Sequence, residues 1–220
     1  KKTRYVDHDF NRKLFDVYSA RAIELSPVSR AAFQYELIDT VTADFDVVIA
    51  MDFGHGLFGE VERHALTFAK FLAVNAQSNA GNYGYNLITK YPVADFVCID
   101  DPEARLATGM QDDAIEIVID RLAAAISCDR FLVTHGRHGS CHRDGRHFGS
   151  APAFVSHGID TMGAGDAVMA VTAPLIAAGL PLDRAAFVGN IAGAIKTSIV
   201  GHRRHVGRQE IIATVEALLA

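Results

Sequence analysis

Seven consecutive residues, Asp160-Thr161-Met162-Gly163-Ala164-Gly165-Asp166, set two carboxylates around a glycine pair just before an apolar stretch over 167–180. Glycine adopts backbone conformations closed to other residues, so Gly163, Ala164 and Gly165 can turn successive N–H groups toward one negatively charged oxygen at a helix start. An anion held there lies beside Asp166. A carboxylate in the first helical turn stays ionised at neutral pH and accepts a proton from a hydroxyl within hydrogen-bond reach. Cradle and base together suit phosphoryl transfer to an alcohol. The competing reading is a glycine-rich turn capped by Asp160 or Thr161.

Composition narrows the setting for that chemistry. Hydrophobic residues make up 50% of the chain and charged residues 21%, enough apolar material for one domain with a sizeable core. The formal charge of −5 offers no basic face for nucleic acid. Cys98, Cys128 and Cys141 are odd in number and widely spaced, so neither a disulfide framework nor a zinc site is indicated. A reducing cytoplasm fits that usage. The ten histidines are scattered without ligand spacing. No apolar run approaches the ~20 residues that span a bilayer, and residues 1–13 are polar and mixed in charge, unlike a secretory signal.

The elements that must position the run alternate between strand and helix. Residues 47–51 are a short apolar run of the kind buried on both faces of a parallel sheet, and they deliver Asp52 and Gly54 at the functional end of a strand. A helix is expected over 58–71, strands over 72–75 and 96–99, a helix over 114–126 and a strand over 131–133. The Asp144-Gly145 pair predicts a hairpin turn. Three helices follow, over 165–178, 182–199 and 209–219. The pattern predicts an α/β fold with a mainly parallel sheet and helices on both faces. Residues 4–6 and 13–17 form a strand pair apart from it, too small to be stable alone.

The seven-residue run resembles the signature of the ribokinase-like (PfkB) family of carbohydrate kinases, and three further segments match in the family's order. Thr134-His135-Gly136-Arg137-His138-Gly139 is similar to its T-x-G-x-x-G nucleotide-phosphate segment. Asp100-Asp101-Pro102-Glu103 takes the place of N-x-x-E, and Asp52-Phe53-Gly54-His55-Gly56 resembles the D-Y-x-K-G segment of the heptose-7-phosphate kinase branch. Lys2-Thr3-Arg4 and Arg12-Lys13-Leu14-Phe15 are similar to that branch where its lid strands return. The similarity spans essentially all 220 residues but lacks the family's usual N-terminal third, with its sugar-binding segment. Residues 1–220 are therefore expected to be the C-terminal part of a kinase domain, with lid strands in 1–20.

The resemblance implies roles residue by residue. Asp166 is the catalytic base, and the N–H groups of Gly163, Ala164 and Gly165 stabilise charge on the transferred phosphoryl group. Thr134, Gly136 and Gly139 contact the phosphates of ATP, whereas His135 and His138 read as exposed loop residues. Asn190 lies near the adenine, where a helix-face asparagine is the alternative. Gly201 belongs with the nucleotide or acts as a helix C-cap. Asp100 and Glu103 serve magnesium, in part through water, or begin an acid-rich helix. Asp52, His55, Arg4 and Lys13 face the acceptor. ATP and Mg²⁺ are the implied cofactors. A sugar or sugar phosphate, a second copy joined through the lid and a fused nucleotidyltransferase domain are the implied partners, with no nucleic acid or membrane among them.

The departures bear on the substrate. Asp100 replaces asparagine, His55 replaces lysine, and Asn75-Ala76-Gln77-Ser78 stands where the branch has D-P-K-G. Two lysine charges that would hold a phosphate at neutral pH are gone. The polar run Asn79-Ala80-Gly81-Asn82-Tyr83-Gly84-Tyr85-Asn86 is unusual for the family. The expected activity is ATP-dependent phosphorylation of a heptose or heptose phosphate, in the supply of nucleotide-activated sugars for a surface polysaccharide. The alternatives are a non-catalytic kinase-fold module that binds nucleotide or sugar phosphate, and another ribokinase-like sugar or nucleoside kinase.

Overall fold

The computed structural model describes residues 2–7, 13–18, 24–79, 81–154, 158–201 and 203–220. They divide into two compact units, one built from Lys1–Ser19, Thr134–His142 and Phe148–Ala220, the other from Ala20–Val133 and Arg143–His147. Strands β1 (Lys2–Val6) and β2 (Lys13–Tyr18) pair antiparallel, the strand pair expected there. Tyr5 lies opposite Phe15, and their exposed rings stack at 4.6 Å.

In the unit holding residues 20–133, helix α1 (Pro27–Thr42) starts where the Ser26 hydroxyl accepts the Ser29 N–H and Pro27 fills the first turn. It was not expected. Its apolar residues do not gather into one stripe, and Val41 alone among its described residues is fully buried. Strand β3 (Val48–Asp52) follows, then α2 (Glu60–Leu66). The latter is shorter than the 58–71 expected. Thr67, Phe68 and Ala69 donate to carbonyls three residues back and tighten into turns, which ends the helix.

Next come β4 (Leu72–Ala76), a single 3₁₀ turn at Ile88–Lys90, β5 (Phe96–Asp100), α3 (Asp101–Thr108), α4 (Ile115–Ala125) and β6 (Arg130–Thr134). Leu72 to Val74, Phe96 to Ile99 and Phe131 to Val133 are buried at 2% exposure or less, the continuous burial of central parallel strands. Cys98 sits in the middle of that layer. Strands β7 (Ser140–Asp144) and β8 (His147–Ala151) join through the turn at Gly145, as expected. The main sheet runs β3-β4-β5-β6-β7-β8, with β3, β4 and β5 parallel in succession.

The other unit carries α5 (Ala164–Ala177), α6 (Leu182–Thr197) and α7 (Arg208–Leu219). Helices α5 and α6 approach closely because Gly189 and Gly193 lack side chains: a Cβ at Gly189 would stand 2.4 Å from Thr172 Cγ2, and one at Gly193 3.0 Å from Val168 Cγ2. No helix among the described residues is long and apolar enough to cross a membrane.

Candidate active site

Helix α5 begins at Gly163, whose φ of 74° lies in the left-handed region and which receives no side-chain cap. Asp160 therefore does not cap α5. Its Oδ1 accepts the Met162 N–H at 3.0 Å and its Oδ2 the Gly201 N–H at 2.8 Å. The backbone N–H groups of Ile159 and Asp160 both donate to Thr197 O at 3.0 Å, so the run is stitched to the end of α6 before it turns into α5. Asp166 sits half-buried in the first turn. First-turn N–H groups have no acceptor inside their helix, and a Cβ at Gly165 would meet nothing within 4 Å. The Ala164 N–H donates to Thr161 O at 3.3 Å, so the open approach at the α5 N-terminus lies at Gly165, beside a carboxylate.

Thr134 closes β6, and Gly136–His138 forms a 3₁₀ turn held by the His135 N–H to Gly139 O bond of 2.7 Å. Gly139 (φ 86°) passes so near the end of β8 that a Cβ would stand 2.1 Å from Ala151 O, so no other residue fits. Space is open at Gly136 (φ 51°). His135 and His138 are exposed, as read from the sequence. Asn190 is buried on α6, and its amide nitrogen donates to Ser140 Oγ, Ala151 O and Pro152 O at 2.9–3.0 Å. Its side chain fastens the β7–β8 hairpin to α6. Gly201 (φ 56°) lies beyond the α6 C-cap, which is Ser198.

In the other unit, parallel pairing brings Asp52 to the carboxyl end of β3, where its carboxylate is buried. Oδ1 accepts the Gly54 N–H at 2.9 Å; Oδ2 accepts the Tyr91 hydroxyl at 2.6 Å and pairs with Lys90 Nζ at 2.5 Å. Burial alone would raise the Asp52 pKa, but the bonds from Lys90, Tyr91 and Gly54 outweigh it and hold the group below the ordinary aspartate range. Burial, reinforced by Asp52, pushes the Tyr91 phenol far up, so it stays a donor.

The polar run after β4 is the scaffold of this network. Asn86 donates to the carbonyls of Asp52 (2.9 Å) and Gln77 (3.0 Å) and accepts from Lys90; Asn82 donates to those of Phe53 (3.0 Å) and Gln77 (3.2 Å). Gly54 (φ 72°) is required there, since a Cβ would lie 1.9 Å from Asn82 Nδ2. Sequence reasoning singled out the run but not Lys90 and Tyr91, whose only signal was proximity to it. His55 is exposed on the loop that this scaffold shapes.

Asp100 and Glu103 form a reciprocal capping box at the start of α3: Asp100 Oδ1 accepts the Glu103 N–H at 2.8 Å, and Glu103 Oε2 accepts the Asp100 N–H at 3.1 Å. Glu103 Oε1 also accepts the Ser78 N–H at 2.9 Å. Burial, then the charge of Asp100, raises Glu103 to about 7. Among the described residues no three His, Cys, Asp or Glu side chains converge as a ready-made metal site. A carboxylate pair of raised proton affinity nevertheless has the chemistry that a hydrated hard cation neutralises. Arg4 and Lys13 lie on β1 and β2, but their side chains are outside the described set, as is all of Arg12.

A family model described as pfkB family carbohydrate kinase matches residues 74–205. A bifunctional protein HldE of Citrifermentans bemidjiense is 27% identical over 197 residues, 84% of this chain and 39% of that protein. Among solved structures, phosphofructokinase-2 of Escherichia coli matches with a TM-score of 0.79 and 13% identity, over 100% of this chain and 71% of that one. A nucleoside kinase of Burkholderia thailandensis in complex with inosine gives 0.71 and 20%, over 99% of this chain and 67% of that one. At these identities the structural likeness shows the α/β fold alone. The chain spans about two fifths of the length of the curated relative.

Proposed function

We propose, since the chain belongs to the pfkB family of carbohydrate kinases, that it transfers the terminal phosphoryl group of ATP to a sugar hydroxyl with Asp166 as general base. The observation that carries this reading is the start of α5, where a left-handed Gly163, open backbone at Gly165 and the Asp166 carboxylate share one turn. The acceptor O–H gives its proton to Asp166 as its oxygen bonds phosphorus, and ADP leaves. The N–H groups of Gly163, Ala164 and Gly165 stabilise the charge that builds on the phosphoryl oxygens. Thr134, Gly136 and Gly139 serve the nucleotide phosphates, with Gly136 offering the open approach. Asn190 would act through the β7–β8 hairpin that it fastens, and Gly201 through its N–H bond to Asp160 ahead of α5. Magnesium, when bound, neutralises phosphate charge, and Asp100 and Glu103 would hold it through water.

A heptose or heptose phosphate is the acceptor we favour, on the resemblance of the Asp52–Gly56 loop and the relatives named HldE. His55, Arg4 and Lys13 would face it, and Asp52 would shape the loop that carries His55. The reading extends to a cytoplasmic enzyme supplying nucleotide-activated sugars, to a nucleotidyltransferase domain in a longer polypeptide and to a homodimer through the lid. Exposed Tyr5 and Phe15 support the last. The second reading, a module that binds without efficient transfer, is favoured by His55 and Gln77 standing where lysines were expected.

Replacing Asp166 by asparagine separates the two. General-base catalysis is worth about 10²–10⁴-fold, so Asp166→Asn should lower kcat by that order while Mg-ATP still raises the melting temperature. The assay takes a panel of heptoses, hexoses and nucleosides. Turnover that survives the substitution removes Asp166 from the reaction; a wild type inert on every acceptor favours the binding module.

A further inference from the structure

Lys196, in the last turn of α6, is buried at 6% exposure and takes no part in the chemistry described so far. Among the half-buried cations, Lys90 pairs with Asp52, Arg30 with Glu62 and Arg105 with Asp101, whereas Arg63 donates to Phe58 O. Lys196 makes no ion pair among the described residues. Its Nζ donates to Gly201 O at 2.9 Å and to Ile199 O at 3.4 Å. Two neutral carbonyls are a meagre replacement for the hydration of an ammonium group. The position is tolerable because these carbonyls follow the negative end of the α6 dipole.

The same glycine reaches the opposite way. The Gly201 N–H donates to Asp160 Oδ2, Asp160 Oδ1 accepts the Met162 N–H, and Met162 leads into the left-handed Gly163 that opens α5. The Lys196 ammonium on the Gly201 carbonyl and the Asp160 carboxylate on its amide thus hold one residue from both sides, and that residue lies in the left-handed region. We infer that Lys196 is a positioning residue whose ammonium fastens the 199–201 loop and, through Gly201 and Asp160, fixes the aim of the N–H groups that receive the transferred phosphoryl group. The inference rests on the kinase reading for its catalytic consequence and on unit geometry alone for the fastening.

The test uses Lys196→Met, which keeps the aliphatic volume, and Lys196→Ala, which leaves room between the carbonyls for a small cation. Misaimed groups at a reacting centre cost about 10²-fold. Lys196→Met should therefore lose kcat by about that factor, with KM for ATP changed only a few-fold, a split that a general loss of stability would not produce. In Lys196→Ala, ammonium ion should restore melting temperature and kcat saturably, whereas tetramethylammonium, too large for the gap, should not at the same ionic strength. The wild type should respond to neither. Full kcat in Lys196→Met overturns the inference, as does a Lys196→Ala response equal for the two cations. If Lys196→Ala does not fold, the kcat of Lys196→Met decides. A wild type with no turnover on any acceptor, together with selective ammonium stabilisation of Lys196→Ala, sinks the kinase reading and upholds the fastening.

Discussion

Asp52 shows how a residue singled out for one reason is built for another. The Gly54 N–H, the Tyr91 hydroxyl and the Lys90 ammonium engage both of its carboxylate oxygens, so its proposed first task is to hold the loop 53–57 rather than to meet a ligand directly. The sign of its acid response follows from the lowered pKa. Folded Asp52 binds a proton less readily than unfolded Asp52, so its stabilisation is complete above the unfolded pKa and is lost as pH falls through the folded one. Asp52→Asn should therefore flatten the decline of melting temperature below about pH 5. At pH 7 it leaves Lys90 without its counter-charge, at a cost of about 3–5 kcal/mol, and the melting temperature should drop by on the order of 10 °C. Calorimetry across that pH range checks both; an unchanged acid slope would take Asp52 out of the response.

At the scale of elements, the sequence was most legible where periodicity and burial coincide. The apolar runs of β4, β5 and β6, the helix at 115–125 and the turn at Gly145 all follow from local residues. Helix α1 was missed because its apolar residues do not form one stripe, although Ser26-Pro27 was a usable start signal. The Lys90–Asp52 pair was illegible for a different reason: 38 residues separate partners that only parallel pairing and an asparagine scaffold bring together. Asn190 could be placed on a helix but not aimed. Its three donations tie α6 to β7 and β8, and unmaking a buried polar network costs about 1–3 kcal/mol. Asn190→Ala should thus lower the melting temperature by several degrees with KM for ATP nearly unchanged. A large rise in KM at constant melting temperature would instead make it a nucleotide contact.

For the whole molecule, the candidate residues partition between two compact units. The residues proposed for nucleotide binding and transfer, Thr134 to Gly139 and Gly163 to Asp166, belong to one; Asp52, His55, Asp100 and Glu103 belong to the other. Hydrogen exchange should register this division. A non-hydrolysable ATP analogue with magnesium should slow exchange at 135–139 and 163–166, and an acceptor sugar should add protection at 53–57. Protection by the nucleotide confined to other segments would displace the assignment of its site. The burial of Cys98 in the strand layer, at 2% exposure, gives this molecule an internal clock. A thiol so enclosed is alkylated only when the layer around β5 parts, so its modification rate under native conditions, set against that of the more accessible Cys141, times how often the sheet breathes.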